Sequence, residues 1–239
     1  MTTHRTSRFV VLSTAAALAL ASCGSDADGE PVVSEPPEAD TDLAADAETE
    51  PVDAAACPPV GGTDEIIREF TDAPPMCLDP AVEYSALVTT SAGDITIDLD
   101  QAAAPVTVNS FVFLARNNYF DDTACHRVIQ DFVAQCGDPT ATGRGGPGYQ
   151  FDDELPEAGA YEVGSIAMAN SGPDTNGSQF FIISGPNGAA LPPLYSLFGA
   201  VSGDGDLDVV AEMNARGSLD PSGIATEEVR ILDVEIIES

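Results

Sequence analysis

The sequence contains no lysine and no tryptophan, and it has only two histidines. Its eight basic residues are all arginine and stand against 40 acidic residues, so the formal net charge at pH 7 is −32. A surface of this sign repels the phosphates of nucleic acids and of anionic lipid headgroups. Nucleic-acid binding is therefore not expected, and no nucleic-acid partner is predicted.

The first 22 residues have the pattern of a targeting segment. Arg5 and Arg8 provide a basic start, and residues 9–20 form an almost uninterrupted apolar run. This run is shorter than the roughly 20 residues that a membrane-spanning helix needs. Small residues then precede Cys23, which resembles the lipobox of bacterial lipoproteins and implies cleavage before Cys23 and acylation of its thiol.

We therefore expect a signal peptide over 1–22 and a lipid anchor at Cys23. Two or more acyl chains would hold the protein stably on the outer face of the bacterial cell membrane, which a single chain would not. The alternative is a simple secretory peptide that leaves Cys23 as a free thiol.

Export changes the interpretation of the other four cysteines, because disulfides form in oxidising compartments. Cys57, Cys77, Cys125 and Cys136 allow three pairings, and proximity favours Cys57–Cys77 and Cys125–Cys136. A zinc site is the competing interpretation, but these spacings are not the paired short spacings of a structural zinc site. We predict two disulfides, with no metal ion and no cofactor.

Composition divides the remaining chain into three parts. Residues 23–56 are rich in Ala, Pro, Asp and Glu with almost no large apolar side chains, which predicts a disordered acidic tether. Residues 57–80 are predicted to form a disulfide-closed extension, with a short helix from Asp64 to Phe70, packed on the main domain. Residues 81–239 have the pattern of a globular domain.

Strand patterns are clearest at the two ends of this domain. Residues 84–90 and 94–99 are β-like, and the second run alternates apolar and polar side chains as a half-buried antiparallel strand does. The last strand, 229–237, changes phase near Leu232, which indicates a β-bulge.

Two helices are predicted between these ends. Pro105 opens the first, whose apolar side chains recur at the i, i+3, i+4, i+7 spacing of one helix face. The second is predicted over 207–215, with Asp206 as its N-cap and Gly217 just past its end. Many short strands with only two helices predict a β-barrel with helical caps.

Two segments carry the functional signal: CHRVIQDFVAQCGD, which begins at Cys125, and SIAMANSGPDTNGSQFFI, which begins at Ser165. Together they resemble the signature stretches of the cyclophilins, usually FHRxIxxFMxQGGD and SMANxGPxTNGSQFFI. The resemblance covers residues 81–239 and implies a mainly β fold, a closed antiparallel eight-stranded barrel capped by two helices, with peptidyl-prolyl cis–trans isomerase activity. The extension, the CHR variant and the GGPGYQFDDE segment are most similar to an actinobacterial subgroup of secreted lipoproteins.

The chemistry of such an isomerase requires no nucleophile, general base or metal. Rotation about a peptide bond meets a barrier of ~18–20 kcal/mol because the C–N bond has partial double-bond character. Catalysis needs an apolar slot for the proline ring and a fixed donor near the imide, whose hydrogen bond strengthens as the bond twists. Arginine suits that role because it is always charged and carries several donors in a rigid plane.

The resemblance implies roles for ten residues. Arg127 would donate to the prolyl imide, and Gln135 would bind the substrate backbone and help orient Arg127. The third expected catalytic residue, Phe132, would line the proline slot. The substrate-binding residues are expected to be Val133 and Phe181 in the slot, Leu191 and Tyr195 at its side, and Ala169, Asn170 (through its main chain) and Gln179 along the residues that precede proline.

The chain departs from the family pattern at several of these positions. Val133 stands where methionine is usual, and Tyr195 occupies a position that is histidine in animal members, which also have a tryptophan nearby. Cys125 and Cys136 replace the usual phenylalanine and a glycine on two strands expected to form a hairpin. A disulfide there would pin the strands that carry Arg127.

The predicted function is that of an extracytoplasmic foldase, acting as a monomer on proline-containing segments of exported proteins. A cyclophilin-fold module that binds such segments with little catalysis is the first alternative, and a passive surface or adhesion lipoprotein is the second. The joint presence of Arg127, Phe132, Gln135 and Phe181 favours the enzyme.

Overall fold

The computed structural model describes residues 51–54 and 56–239. The predicted signal peptide, the predicted acylation site at Cys23 and most of the predicted tether lie outside these residues. Within the described ranges, none of the helices combines the length and the apolar character needed to cross a membrane.

One antiparallel sheet of nine strands forms the framework of the domain. In chain order the strands are β1 (Tyr84–Thr90), β2 (Gly93–Leu99), β3 (Thr123–Ala124), β4 (Arg127–Ile129), β5 (Val133–Cys136), β6 (Ser165–Met168), β7 (Phe180–Ile183), β8 (Leu197–Val201) and β9 (Arg230–Glu238). Their order in space is β3-β9-β1-β2-β8-β6-β7-β5-β4. The mainly β, antiparallel architecture is confirmed, with nine strands where eight were expected because the two-residue β3 pairs with β9.

The predicted bulge in the last strand is also confirmed. β9 pairs with β1, and the register shifts between Thr89, which faces Asp233, and Thr90, which faces Ile231. Leu232 is therefore the extra residue, and its insertion produces the change of phase in the sequence pattern.

The described residues form three helices: α1 (Pro105–Arg116), α2 (Pro186–Ala189) and α3 (Asp204–Arg216). α1 starts at Pro105 as predicted, where the missing N–H of proline costs no helical hydrogen bond. The prediction that Asp206 caps α3 is wrong, because Gly203 is the N-cap and Asp206 lies in the first turn. A carboxylate in that turn is still favourable, since it faces the positive end of the helix dipole.

The main core lies between α1 and the inner face of the sheet. Phe111 of α1 is at its centre, with the rings of Phe120, Phe180 and Phe198 at centroid distances of 5.1, 5.6 and 5.4 Å. Two of these rings belong to β7 and β8, so packing against α1 fixes the position of the strands in the middle of the sheet.

The extension, residues 57–80, is closed by a Cys57–Cys77 disulfide, as predicted. The short helix predicted from Asp64 to Phe70 does not form. Instead, the Thr63 and Ile67 N–H groups donate to the carbonyl oxygens of Arg116 and Asn117 at 2.8 and 3.0 Å. The segment thus satisfies carbonyl groups at the end of α1, which have no partner inside that helix, and it remains extended.

Phe70 anchors the extension to the domain. Its ring is only 3% exposed and lies 4.9 Å from the ring of Phe113 and 6.4 Å from that of Tyr149. Its N–H donates to the Pro147 carbonyl at 2.9 Å. Gly148 has φ +95°, and a Cβ there would overlap the Phe70 carbonyl oxygen, so the two backbones approach as closely as only glycine allows.

Replacing Phe70 by alanine should lower the free energy of unfolding by about 3–5 kcal/mol, the usual cost of removing a buried phenylalanine ring. Urea denaturation followed by circular dichroism measures this change. Met76, in the same extension but 57% exposed, supplies the control, and Met76→Ala should change stability by less than about 0.5 kcal/mol. If Phe70→Ala changed the free energy of unfolding as little as Met76→Ala, the extension would not be part of the folded unit.

Candidate active site

The β4–β5 hairpin and its neighbour β7 align the predicted catalytic residues. Arg127 in β4 is directly opposite Gln135 in β5, and Gln135 is directly opposite Phe181 in β7. Directly opposed residues of antiparallel strands project their side chains from the same face of the sheet. The two signature segments therefore place these three side chains in one row.

A second apolar cluster, separate from the main core, lies on this face of the sheet. We call it the slot cluster; its buried members are Val133, Tyr161, Ala167, Phe181 and Ile183, and Phe132, Ala169, Ala189, Leu191, Tyr195 and Leu197 pack against them. Tyr195 meets Phe181 edge to face, with ring centroids 5.3 Å apart. All six residues predicted to be apolar or aromatic contacts of the substrate belong to this cluster.

Arg127 stands at one side of the slot cluster. Its Cζ lies 5.6 Å from the centroid of the Phe132 ring, within the range of a cation–π contact. Within residues 51–54 and 56–239, its guanidinium makes no side-chain hydrogen bond and no ion pair. Its donors are therefore available to a ligand bound beside the slot cluster.

The segment 218–223 supports the stem of Arg127 from outside the sheet. The Val128 N–H donates to the Gly223 carbonyl at 2.8 Å, and the Gln130 N–H donates to the Ser218 carbonyl at 3.0 Å. A Cβ on Gly223, which has φ +70°, would lie 2.5 Å from Cγ of Arg127. This contact was not predicted from the sequence, where its one local signal is a glycine in a turn.

Gln135 and Gln179, both expected to contact substrate, are joined to each other. Gln135 Nε2 donates to Gln179 Oε1 at 3.0 Å, and Gln179 Nε2 donates to the Gly145 carbonyl at 2.9 Å. Among the described residues no group donates to Oε1 of Gln135, so this atom can accept a hydrogen bond from a ligand.

A cavity of about 780 Å³ opens beside this pair of glutamines. Ala169 and Asn170 line one part of it, the glycine-rich loop 143–148 lines another, and Glu69 of the extension also reaches it. The Asn170 amide donates to the Leu194 carbonyl at 2.9 Å, so its side chain is engaged within the protein. The extension therefore contributes to the wall of the site, a contact that sequence composition could not reveal.

Tyr161 is a second site residue that was not predicted from the sequence. Its hydroxyl donates to the Tyr195 carbonyl at 2.7 Å and accepts from the Tyr195 N–H at 3.1 Å, which fixes the backbone of the residue at the side of the slot. Burial raises the pKa of the Tyr161 phenol, and the hydrogen bond to the Tyr195 carbonyl opposes this only in part. The hydroxyl is therefore a dependable donor at neutral pH.

Both disulfides favoured by sequence proximity are present, and the four sulfur atoms are consequently not available as zinc ligands. The Cys125–Cys136 bond joins the residue two before β4 to the last residue of β5, with the Cα atoms 4.0 Å apart. It lies in the main core and clasps the strands that carry Arg127 and Gln135.

His126, between Cys125 and Arg127, has both ring nitrogens buried without a hydrogen-bond partner in the described part of the chain. Burial lowers the pKa of its imidazole; the Asp138 carboxylate opposes that shift, and the Arg127 charge reinforces it. The ring is therefore neutral at pH 7 and adds no second positive charge beside Arg127.

Replacing Cys125 and Cys136 together by alanine should lower stability by about 3 kcal/mol, the value expected for a closed loop of this length. Hydrogen exchange of the β4 and β5 amides should also become faster, because the clasp no longer limits local opening. The double variant Cys57→Ala/Cys77→Ala is the control, and it should destabilise the protein without accelerating exchange in the hairpin. An unchanged melting temperature and unchanged exchange in the first variant would refute the clasp.

The family model for "Cyclophilin type peptidyl-prolyl cis-trans isomerase/CLD" matches residues 85–236 of the chain. The chain is 41% identical over 166 residues to a probable peptidyl-prolyl cis-trans isomerase B of Mycobacterium leprae, a match that covers 62% of this chain and 55% of that protein. The corresponding Mycobacterium tuberculosis protein is also 41% identical, with 53% of its length covered. The chain thus spans about half the length of these curated relatives.

Solved structures agree with this match. A cyclophilin-type peptidyl-prolyl cis-trans isomerase of Cryptosporidium parvum superposes with a TM-score of 0.58 at 30% identity, covering 66% of this chain and 99% of that one. The structure of the same protein in the presence of the dipeptide Ala-Pro gives a TM-score of 0.57 at 31% identity, covering 65% and 99%.

Proposed function

Because the chain belongs to the cyclophilin-type peptidyl-prolyl cis-trans isomerase family, we propose that its domain accelerates rotation about X-Pro bonds. The observation that supports this most directly is the Arg127 guanidinium, unpaired among the described residues, beside the apolar slot cluster, with its Cζ 5.6 Å from the centroid of the Phe132 ring. An apolar slot and an unoccupied cationic donor are the two groups that this reaction requires.

The proposed mechanism involves no covalent step. The proline ring enters the slot between Val133 and Phe181, where water is excluded, and the peptide bond lies beside Arg127. As the C–N bond twists, it loses its double-bond character and the imide nitrogen becomes pyramidal and basic. A hydrogen bond from the guanidinium then strengthens, which stabilises the twisted state more than either planar isomer.

Gln135 and the neighbouring cavity would hold the substrate backbone. Oε1 of Gln135 is free to accept from a substrate N–H, and the residues that precede proline would lie along Ala169, the Asn170 main chain and Gln179. A related structure was determined in the presence of Ala-Pro, which supports a proline-containing segment as the ligand class here. We propose that such segments of exported proteins are the substrates and that the domain acts as a monomer.

Arg127→Ala should reduce kcat/KM by about 100-fold, the usual effect of removing one donor to a developing charge. A prolyl-peptide isomerisation assay with a cis-enriched peptide measures this. Arg230→Ala is the matched control, because the Arg230 side chain pairs at the surface with Asp122 and Glu228 and donates to the Asp122 carbonyl, and its loss should leave turnover unchanged.

The same assay separates the enzyme from a binding module. If the wild-type protein binds proline-containing peptides without accelerating their isomerisation, the catalytic proposal is wrong and the binding module is the better description. Equal turnover by wild-type protein and Arg127→Ala would leave the activity in place and remove Arg127 from the mechanism.

We further propose that the protein is exported and anchored by lipid on Cys23, on the basis of the sequence pattern over residues 1–23 alone. Mass spectrometry of protein from bacterial membranes should find an N-terminal Cys23 that carries acyl chains. Cys23→Ala should move the protein out of the membrane fraction, whereas Cys57→Ala/Cys77→Ala should leave it there. An unmodified Cys23 in a soluble exported protein would favour the simple secretory peptide.

A further inference from the structure

Asp138 lies at the end of the first signature segment and is completely buried, yet it has no assigned role at the site. Its Oδ1 accepts from the Thr140 N–H at 2.8 Å and from the Thr140 hydroxyl at 2.7 Å. Its Oδ2 accepts from the backbone N–H groups of Thr142, Gly143, Arg144 and Gly145 at 3.1, 2.6, 3.1 and 3.1 Å. One carboxylate thus organises the whole loop from residue 140 to 145.

The charge on Asp138 is maintained by these bonds. Burial opposes ionisation, but the hydrogen bonds from Thr140 and from the Gly145 and Gly143 N–H groups outweigh it and lower the pKa of the carboxyl. Hydrogen bonds to an ionised acceptor are shorter and stronger than neutral ones, so the loop is held rigidly. A Cβ on Gly145 would overlap Oδ1 of Asp138, which shows how closely the loop wraps the carboxylate.

The carbonyl of Gly145 faces the opposite way, towards the glutamine pair. A carbonyl oxygen can only accept, so it requires the Nε2 atom of Gln179 and thereby turns Oε1 of Gln179 towards Gln135. That oxygen in turn requires Nε2 of Gln135, which leaves Oε1 of Gln135 unpaired on the ligand side. The Gly145 carbonyl therefore determines the orientation of both side-chain amides, those of Gln179 and Gln135.

We propose that Asp138 is a positioning residue which, through Gly145 and Gln179, fixes the Gln135 amide with its oxygen towards the substrate. This inference rests on the proposed isomerase function and deepens it. It assigns Gln135 the role of acceptor for a substrate backbone N–H, with Arg127 as the donor on the other side of the prolyl bond. If the Gln135 amide turned over, it would present an NH₂ group to that N–H, and the hydrogen bond would be lost.

The first experiment is Asp138→Asn, which keeps the size of the side chain but places an NH₂ group against backbone donors. We expect kcat/KM to fall about tenfold, the factor that corresponds to the loss of one hydrogen bond. In ¹H–¹⁵N spectra the side-chain amide resonances of Gln135 and Gln179 should shift. Asp152→Asn is the control, because it removes the same charge from an exposed side chain, and it should alter neither kcat/KM nor the amide resonances.

A double-mutant cycle tests whether Asp138 acts through Gln179. Gln179→Glu keeps an acceptor for Gln135 but removes the donor to the Gly145 carbonyl, so the connection is already broken. In that background Asp138→Asn should lower kcat/KM by less than about twofold, because coupled residues are not additive. A full tenfold loss in the Gln179→Glu background would overturn the proposal, and so would unshifted Gln135 resonances in a folded Asp138→Asn protein.

Two further measurements distinguish a failure of the positioning role from a failure of the proposed function. If Asp138→Asn does not fold, Gly145→Ala displaces the same loop from Asp138 and should give the same resonance shifts and loss of activity. If wild-type protein has no isomerase activity, the proposed function fails, while the amide spectra still test the positioning of Gln135. An active wild type with unaltered variants refutes the positioning role alone.

Discussion

The register of β4 against β5, and of β5 against β7, is the constraint on which the site depends. It places Arg127, Gln135 and Phe181 in one row. Because side chains alternate between the faces of a strand, a slip of one residue would turn Arg127 away from the slot and into the core. β4 has only three residues and forms one end of the sheet, so its own ladder is weak. The Cys125–Cys136 bond and the backbone bonds from segment 218–223 stabilise this register from both sides.

The same alternation explains how one sheet contributes side chains to both the main core and the slot cluster. In β5, Ala134 packs in the main core while Val133 belongs to the slot cluster, and in β7 Ile182 and Phe181 are divided in the same way. β7 is therefore apolar on both faces, and its sequence FFII is a continuous apolar run, unlike the alternating pattern of β2. The slot cluster lies on the outer face of β5 and β7, and Leu191 and Tyr195 pack against it.

The features that could be predicted from the sequence are those that depend on residues close together in the chain. The start of α1 at Pro105, the bulge at Leu232 and the two disulfides each have a local signal, and the two signature segments place Arg127 beside the slot residues. The failures involve partners distant in the chain. The predicted 64–70 helix is absent because the Ile67 N–H bonds to the Asn117 carbonyl at the end of α1 and the Phe70 N–H bonds to the Pro147 carbonyl. No local pattern shows that Tyr161 would hold Tyr195 or that Gly223 would pack on Arg127.

The wall of the cavity beside the glutamine pair is fixed from two independent directions. Asp138 holds residues 140–145 from inside the domain, and Phe70 holds Pro147 and Gly148 from the extension. The first support lies within residues 85–236, which match the family model, whereas the second lies outside them. Arg127 and the slot cluster thus lie within the residues that match the family model, while this part of the cavity wall also depends on Phe70, which lies outside them.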